Sequence, residues 1–316
     1  MSDDTRFDSA HTVLAADKYR RSRGLWRLLA FLALAIAVLA LAGRFALLNT
    51  PAAEHIARIV IDGTITTSRD RLEAIEAIAE DDRVRGVIVA INSPGGTTAG
   101  GEELYESLMA LRAHKPVVSV INELGASAAY MTALGTDRIF ARRLSIVGSI
   151  GVLYQHVNAG QLLETIGVDF DKIASGPLKA EPDFDEPLTG PARQSITQLV
   201  ESSFEWFVEI VADRRNLDPA SVETLSDGRI VSGREAVDVG LVDAIGGEAE
   251  ARAWLEAEQG LSADLPIVTH YPREEEGLGW LAWLLGSKAR AALGLPASGP
   301  VVLDGLVSLW QVDPSR

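Results

Sequence analysis

The chain has 316 residues, a formal net charge of −15 and no cysteine. The acidic excess argues against a general nucleic-acid-binding protein, because phosphate contacts require clustered Lys and Arg. The lack of cysteine excludes disulfides and thiolate metal sites, and the length suits one large α/β domain or two small ones.

The first predicted element is a membrane anchor. Residues 28–43 form an unbroken apolar run that continues past Arg44 to residue 48. Roughly 20 helical residues span a bilayer, so residues 28–48 are predicted to cross the membrane. A cleaved signal peptide is the alternative, but the run is long for one and residues 47–50 make a poor cleavage site.

The charges around this run predict its orientation. Five basic residues precede it: Lys18, Arg20, Arg21, Arg23 and Arg27. By the positive-inside rule, residues 1–27 are expected in the cytoplasm and the following domain on the periplasmic or extracellular side. The sequence therefore predicts a single-pass protein of the cytoplasmic membrane that contacts lipid through residues 28–48.

Beyond the anchor, short apolar strands alternate with helical patterns. Strands are predicted over residues 56–61, 86–91, 117–121, 138–141, 150–154 and 168–174. Helices are predicted over residues 70–80, 102–114, 161–166 and 191–215, with a further helix after Ser127. This alternation is typical of an α/β fold with a sheet covered on both faces.

The last part of the chain differs in composition. Residues 274–276 are all Glu, and Trp280 and Trp283 lie among leucines in residues 278–285. That segment is too short to span a membrane, and an interfacial helix, a subunit contact and a plain core helix all remain possible. We therefore separate a domain over residues 52–254 from an extension of unassigned role over residues 255–316.

A glycine-containing loop follows the strand at residues 86–91. Its sequence is Asn92-Ser93-Pro94-Gly95-Gly96, and glycines there would expose backbone N–H groups near a helix start. An oxyanion hole, a phosphate loop and a simple turn are the three interpretations. The phosphate loop is the weaker one because no G-x-x-x-x-G-K-[ST] pattern is present.

Two residues could carry acyl-transfer chemistry. Ser127 lies in Gly125-Ala126-Ser127-Ala128-Ala129, where small neighbours would let a substrate carbonyl approach, and Lys179 follows a Ser175-Gly176-Pro177 turn 52 residues later. An uncharged lysine can take the proton of a serine, so no histidine is needed. A helix-capping serine and a surface lysine are the alternative.

Other catalytic chemistries have less support in the sequence. The chain has five histidines, at positions 11, 55, 114, 156 and 270, and none lies in a comparable motif. A Ser-His-Asp triad is therefore the weaker hypothesis. No H-E-x-x-H pattern or tight His/carboxylate grouping suggests a metal site, so no metal or cofactor is predicted.

Five motifs in order resemble a known family. They are Asn92–Gly96, Gly125–Ser127, Val147–Val152, Ser175–Lys179, and Gly228–Gly233 with Ala236 and Gly240–Asp243. Over residues 55–250 the chain resembles the signal peptide peptidase A (protease IV) family of Ser/Lys peptidases, in its half-length form. The resemblance implies a Clp-protease/crotonase-like fold of repeated ββα units and an outward-facing peptidase that degrades cleaved signal peptides.

The resemblance also implies roles for individual residues. Ser127 matches the nucleophile, Lys179 the general base and Ser149 the hydroxyl that positions the lysine, while Gly96 and the Ala128 N–H match the oxyanion hole. The chain departs from the family in having Ser127-Ala128-Ala129 in place of Ser-Gly-Gly, and in Pro177. The first departure bears on subsite width and the second on the approach of Lys179.

The same resemblance implies peptide substrates and a homo-oligomeric ring in which adjacent subunits supply the serine and the lysine. Two rival functions remain open. One is a regulatory peptidase of the same fold that cuts a specific membrane protein. The other is a catalytically silent membrane scaffold, against which the presence of Ser127, Ser149 and Lys179 argues.

Overall fold

A computed structural model describes residues 26–27, 29–36, 38, 53–188, 190–272 and 306–309. The described residues from 26 to 38 are helical, and no described helix is both long and apolar enough to cross a membrane. The rest of the predicted anchor, at residues 28, 37 and 39–48, lies outside the described residues, as do residues 278–285. The chain divides at residue 53 into two compact units, and everything below concerns the second.

A mixed sheet of eight strands forms the centre of the second unit. Six strands are parallel and lie in the order β10 (Ile267–Tyr271), β1 (His55–Asp62), β2 (Val84–Ser93), β4 (Val117–Ala126), β5 (Arg138–Ala141) and β9 (Ala244–Ile245). Strand β6 (Ile146–Gly148) pairs in parallel with the end of β4, and β8 (Ile230–Ser232) pairs antiparallel with β6.

A second, three-stranded sheet lies at one end of this core. It contains β3 (Gly95–Thr97), β7 (Leu153–Tyr154) and β11 (Leu306–Leu309), with β11 between the other two. The predicted loop at residues 92–96 is therefore partly a strand. Because β3 follows β2 after one residue, the small sheet begins at the carboxyl end of the large one.

Eight helices connect the strands of the described unit. They are α1 (Arg69–Glu80), α2 (Thr98–Arg112), α3 (Ala128–Leu134), α4 (Gly160–Ile166), α5 (Gly190–Arg215), α6 (Pro219–Leu225), α7 (Gly233–Asp238) and α8 (Glu248–Gln259). Polar side chains start several of them: Ser68, for example, accepts a hydrogen bond from the Arg71 N–H at the start of α1.

Alternate side chains of the strands enter two separate cores. Val117 of β4 packs in the larger core with Leu104 and Leu108 of α2, whereas Val118 packs in a smaller core with Leu255 of α8. A sheet buried on both faces needs strands that are apolar at nearly every position. This explains the continuous apolar runs in the sequence and confirms the predicted α/β architecture.

The core continues past residue 254. Helix α8 spans that position, and β10 pairs with β1 in the register Ile56↔Ile267. Leu265 is buried with Leu255 in the smaller core. Strand β10, which ends at Tyr271, therefore belongs to the same sheet as the first strand of the domain.

Two predicted strands need correction. Residues 168–174 form no strand: Ile173 is fully exposed and Phe170 about half exposed, so the apolar residues there have no sheet to pack against. Of the strand predicted over residues 150–154, only the last two residues form a strand, β7, and β6 ends before the predicted range begins. The backbone turns between them, because Gly148 and Ser149 take positive φ angles of 99° and 52°.

Candidate active site

Ser127 lies where β4 ends and α3 begins, with φ +60° and ψ −122°. A positive φ is uncommon for a residue with a Cβ and costs on the order of 1–3 kcal/mol. The Ser127 N–H donates to the Gly148 carbonyl at 2.8 Å, and the Ser127 carbonyl accepts from the Tyr130 N–H at 2.8 Å. The residue is only 1% exposed. The fold therefore holds this serine in a strained turn.

Small residues let the neighbouring elements approach this turn. A Cβ on Gly125 would lie 2.8 Å from the Ile121 side chain, and one on Gly101 of α2 would lie 3.0 Å from the Ala128 Cβ. Both distances are too short for a larger residue without movement of the neighbours. The small residues on either side of Ser127 are thus required by packing as well as by access to the serine.

Helix α3 is anchored at its middle and its end. The Tyr130 hydroxyl is buried and donates to the Leu241 carbonyl at 2.7 Å. The Arg214 guanidinium of α5 donates to the carbonyls of Leu134 at 2.8 Å and Thr136 at 2.9 Å. A cation on the last carbonyls of a helix is favourable. These contacts fix the helix that carries the serine.

Ser149 lies beside Ser127 because β6 runs parallel to the end of β4. The register pairs Ala126 with Gly148, so the residues that follow each strand are neighbours. The Ser149 N–H donates to the Arg229 carbonyl at 2.7 Å, and Ser149 is 9% exposed. A Cβ on Gly148 would lie 3.0 Å from that same carbonyl, which together with its positive φ favours glycine.

Gly96 lies on the other side of the turn. Pairing of Ser93 with Gly125 brings the end of β2 next to the end of β4, and β3 starts there. Ile65 accepts from the Thr97 N–H at 2.9 Å and donates to the Gly95 carbonyl at 2.8 Å. A Cβ on Gly96 would lie 1.7 Å from the Ile65 carbonyl oxygen, so only glycine fits.

The Ala128 N–H belongs to the first residue of α3, where N–H groups have no partner within the helix. Together with Gly96 it supplies a backbone donor on each side of Ser127. Such donors stabilise the developing negative charge in acyl transfer, each contributing about 2.7–4 kcal/mol to transition-state stabilisation. The chain can therefore provide the predicted oxyanion hole from its own backbone.

Lys179 is placed differently from these residues. It lies in an exposed, irregular segment, and its backbone N–H donates to the Gly176 carbonyl at 3.2 Å. In the part of the chain that the structure describes, its side chain forms no hydrogen bond or ion pair. The single subunit thus gathers Ser127, Ser149, Gly96 and Ala128, but does not join the Lys179 amine to Ser127 by a hydrogen bond.

A second lysine in the same segment is bound to carboxylates. The Lys172 amine forms ion pairs with Asp183 and with Glu181, the latter at 2.6 Å. Hydrogen bonds to Asp183 and then Glu181 raise the pKa of Lys172 well above its usual value. A lysine held charged cannot act as a base near pH 7. We did not predict this cluster, although the run of acidic residues just after Lys179 was a signal for it.

A cavity of about 520 Å³ opens beside Ser149. Val152 and Leu153, at the start of β7, line one side of it, and Val200 and Phe204 of α5 line another. Its polar residues include Glu201 and Asp227. It is large enough for an apolar side chain of a substrate. In the described residues, no group of three or more His, Asp or Glu side chains could hold a metal ion.

A buried, strained serine between two backbone donors suits nucleophilic acyl transfer, so fold and site together define a serine hydrolase of the α/β class. Comparison with known proteins narrows this class. Residues 109–262 match the model of peptidase family S49. The chain belongs to this family, and it is a serine peptidase.

Three relatives illustrate the match. A candidate protease of Synechocystis sp. is 38% identical over 219 residues, covering 68% of this chain and 78% of that protein. A candidate signal peptide peptidase SppA of Enterococcus faecium is 33% identical over 244 residues, covering 76% and 68%. Protease 4 of Salmonella typhi is 30% identical over 167 residues, covering 52% of this chain and 27% of that protein.

Proposed function

We propose that the chain is a membrane-anchored endopeptidase that degrades cleaved signal peptides at the outer face of the cytoplasmic membrane, with Ser127 as nucleophile and Lys179 as general base. The observation that carries this proposal is the strained, buried Ser127 with Ser149 and Gly96 on either side. The signal peptide peptidase name of the Enterococcus relative supports the substrate class.

The reaction would proceed in two steps. The neutral Lys179 amine takes the proton from the Ser127 hydroxyl as its oxygen attacks the substrate carbonyl, and the Gly96 and Ala128 N–H groups bind the resulting oxyanion. The lysine then gives the proton to the leaving amine, which leaves an acyl-enzyme. Water, deprotonated by the same lysine, releases the acyl group. Ser149 would orient the amine through its hydroxyl.

The exposure of Lys179 supports a site shared between subunits. The segment around it presents large apolar side chains to solvent: Val157, Leu162, Ile166, Phe170, Ile173, Leu178 and Phe184. Apolar groups gathered on one exposed segment are typical of a surface that another subunit covers. A second copy that covers this segment would also desolvate Lys179, which favours the neutral amine that a general base requires.

The cavity beside Ser149 supports apolar substrates. Its lining by Val152, Leu153, Val200 and Phe204 suits the leucine- and alanine-rich segments of signal peptides. Of the two rival functions, the regulatory peptidase shares this chemistry and differs only in substrate. A library of peptides with apolar and polar side chains next to the cleaved bond would separate the two.

The first test compares Ser127→Ala with Ser107→Ala, a serine whose hydroxyl bonds to its own helix through the Glu103 carbonyl. Only Ser127→Ala is expected to abolish peptide cleavage, with an unchanged circular dichroism spectrum. Wild-type turnover by Ser127→Ala would show that Ser127 is not the nucleophile.

The second test mixes two inactive variants. Ser127→Ala and Lys179→Ala subunits, unfolded and refolded together, are expected to regain activity if adjacent subunits supply the two groups, because some mixed interfaces then carry both. Each variant refolded alone is the control and stays inactive. No recovery in mixed assemblies would place both groups in one subunit.

The third test concerns location. External protease added to spheroplasts is expected to digest the domain after residue 50 and to spare a tag placed before residue 18, because the basic residues lie before the apolar run. Digestion of the tag with a protected domain would show the opposite topology and would argue against signal peptides as substrates.

A further inference from the structure

The loop between β1 and α1, residues 63–68, supports the strand that carries Gly96. In this loop Ile65 donates to the Gly95 carbonyl at 2.8 Å and accepts from the Thr97 N–H at 2.9 Å, so it forms a bridge to β3. Successive residues of a strand point their backbone groups to opposite sides, so the N–H of Gly96 points away from Ile65. We call residues 63–68 the support loop, because the orientation of this proposed oxyanion donor depends on it.

The support loop is in direct contact with β3 and with the start of α2. A Cβ added at Gly96 would lie 1.7 Å from the Ile65 carbonyl oxygen, and one added at Gly100 would lie 2.8 Å from the Thr66 carbonyl carbon. Ile65 itself is 1% exposed. Because the two backbones touch, a displacement of the loop would also displace Gly96.

A buried ion pair holds the support loop. Arg71 of α1 donates through Nη2 to the Thr66 carbonyl at 2.6 Å and to the Glu103 carboxylate of α2 at 3.1 Å. The same Glu103 oxygen accepts from the Ser68 N–H at 2.9 Å. The Arg71 and Glu103 side chains are only 7% and 17% exposed. The pair therefore ties two backbone groups of the loop to α2, the helix that directly follows β3.

Stability does not explain this pair. Burial removes two charges from water at a large cost in free energy, and apolar residues of similar volume are often equally stable in the place of such a pair. The Nε of Arg71 is also buried, without a hydrogen-bond partner among the residues that the structure describes. An unpartnered buried N–H adds a further cost. What the pair provides is a fixed position for the loop.

We infer that Arg71 and Glu103 are positioning residues for the oxyanion hole, which hold the support loop so that the Gly96 N–H stays directed at the substrate carbonyl oxygen. This inference rests on the proposed peptidase function. A donor is effective only at about 2.7–3.1 Å from the position of the oxyanion. A small displacement therefore weakens transition-state binding and leaves the binding of the uncleaved peptide nearly unchanged. Loss of the pair should lower kcat and spare KM.

The test replaces both charges at once. Arg71→Met/Glu103→Leu leaves no single charge buried, whereas Arg69→Met/Glu73→Leu removes an exposed ion pair of α1 and is the matched control. For one fluorogenic peptide, the first variant is expected to lower kcat about 10- to 100-fold with KM within about threefold. Its urea midpoint should stay close to that of the unaltered chain. The control should keep kcat and KM, and Arg71→Lys, which retains the charge, should lose less kcat than Arg71→Met.

A peptide aldehyde distinguishes mispositioning from a loss of folded protein. Its carbonyl carbon bonds to the Ser127 Oγ, the serine proton passes to the Lys179 amine, and its oxygen becomes an oxyanion bound by the Gly96 N–H. Fewer folded molecules would lower kcat but leave the inhibition constant unchanged. The inference predicts that this constant rises by about the factor by which kcat falls in Arg71→Met/Glu103→Leu. An unchanged inhibition constant, or an unchanged kcat, would overturn it.

Hydrogen exchange separates this inference from the peptidase proposal. In Arg71→Met/Glu103→Leu the Thr97 amide, which bonds to Ile65, is expected to exchange about tenfold faster than in the unaltered chain, while the Tyr130 amide of α3 keeps its rate. Equal exchange at Thr97 would show that the pair does not hold the loop. Faster exchange at Thr97, with no peptide cleaved by the unaltered chain, would retain the role of the pair in holding the loop and refute the peptidase.

Discussion

The turn that carries Ser127 and the segment that carries Lys179 are built in opposite ways. Ser127 is buried, strained and held by backbone bonds to Gly148 and Tyr130, whereas the Lys179 segment is irregular and exposes Ile173 completely. A strained conformation persists only where its surroundings determine it fully. One subunit can therefore preorganise the nucleophile by itself, while the position of Lys179 depends on what covers its segment.

The largest difference is expected when each of the two lysines of the exposed segment is replaced by alanine. Lys179→Ala is expected to lower kcat/KM at least about 1000-fold, as loss of a catalytic base usually does. Lys172→Ala, which removes only the ion pairs with Glu181 and Asp183, is expected to cost a few-fold. Steady-state cleavage of one fluorogenic peptide measures both, and equal losses would show that segment conformation matters rather than Lys179 chemistry.

A larger side chain should lower the unfolding free energy in the rigid region around Ser127 but not in the exposed segment around Lys179. A Cβ added at Gly101 would lie 3.0 Å from the Ala128 Cβ and 2.7 Å from the Met131 sulfur. Gly101→Val is therefore expected to lower the unfolding free energy by about 1–3 kcal/mol. The control is Gly176→Val, since a Cβ there has no atom within 4 Å. Urea unfolding measures both, and equal stability would mean that α2 and α3 are less tightly packed than described.

The end of α3 offers a sharper probe of how the nucleophile is fixed. Arg214→Met removes both hydrogen bonds to the Leu134 and Thr136 carbonyls and is expected to cost about 1.5–3 kcal/mol of unfolding free energy. Arg193→Met, which removes bonds to the exposed Leu188 carbonyl, is the control and should cost well under half of that. Thermal unfolding of the two variants compares them, and similar losses would contradict a special role for the α3 end.

The smallest expected effect is pH-dependent and concerns the turn next to Ser149. The Arg229 side chain lowers the pKa of Asp227 from 3.8 to about 2, chiefly through their hydrogen bond. Because the folded pKa is lowered, this carboxylate stabilises the fold above pH 3.8, and the contribution is lost as pH falls through about 2. Asp227→Asn should therefore be slightly less stable than the unaltered chain at pH 7, and the difference should disappear below about pH 2. A constant difference across this range would exclude the ion pair as its cause.

Sequence patterns predicted the parts of the fold that depend on neighbouring residues. The apolar runs at β1, β2, β4 and β5 are continuous because both faces of these strands are buried, and a continuous run is visible without knowledge of its partners. The strand-to-helix turn at Ser127 was also predicted, because its strand, its small residues and its helix follow each other directly along the chain. The run at residues 168–174 shows the limit, because an apolar pattern does not say whether a sheet is available to pair with it.

Only the tertiary structure decided which distant residues meet. Ser149 lies beside Ser127 because β6 pairs with β4 through the register Ala126↔Gly148, and Gly96 reaches the same turn because Ser93 pairs with Gly125. The pairing of residues 306–309 spans about 210 residues of chain to β3 and about 150 to β7. Register between strands is set by burial and hydrogen bonding across the whole sheet. The sequence therefore determined the buried central strands and the serine turn, while the sheet determined which residues lie next to them.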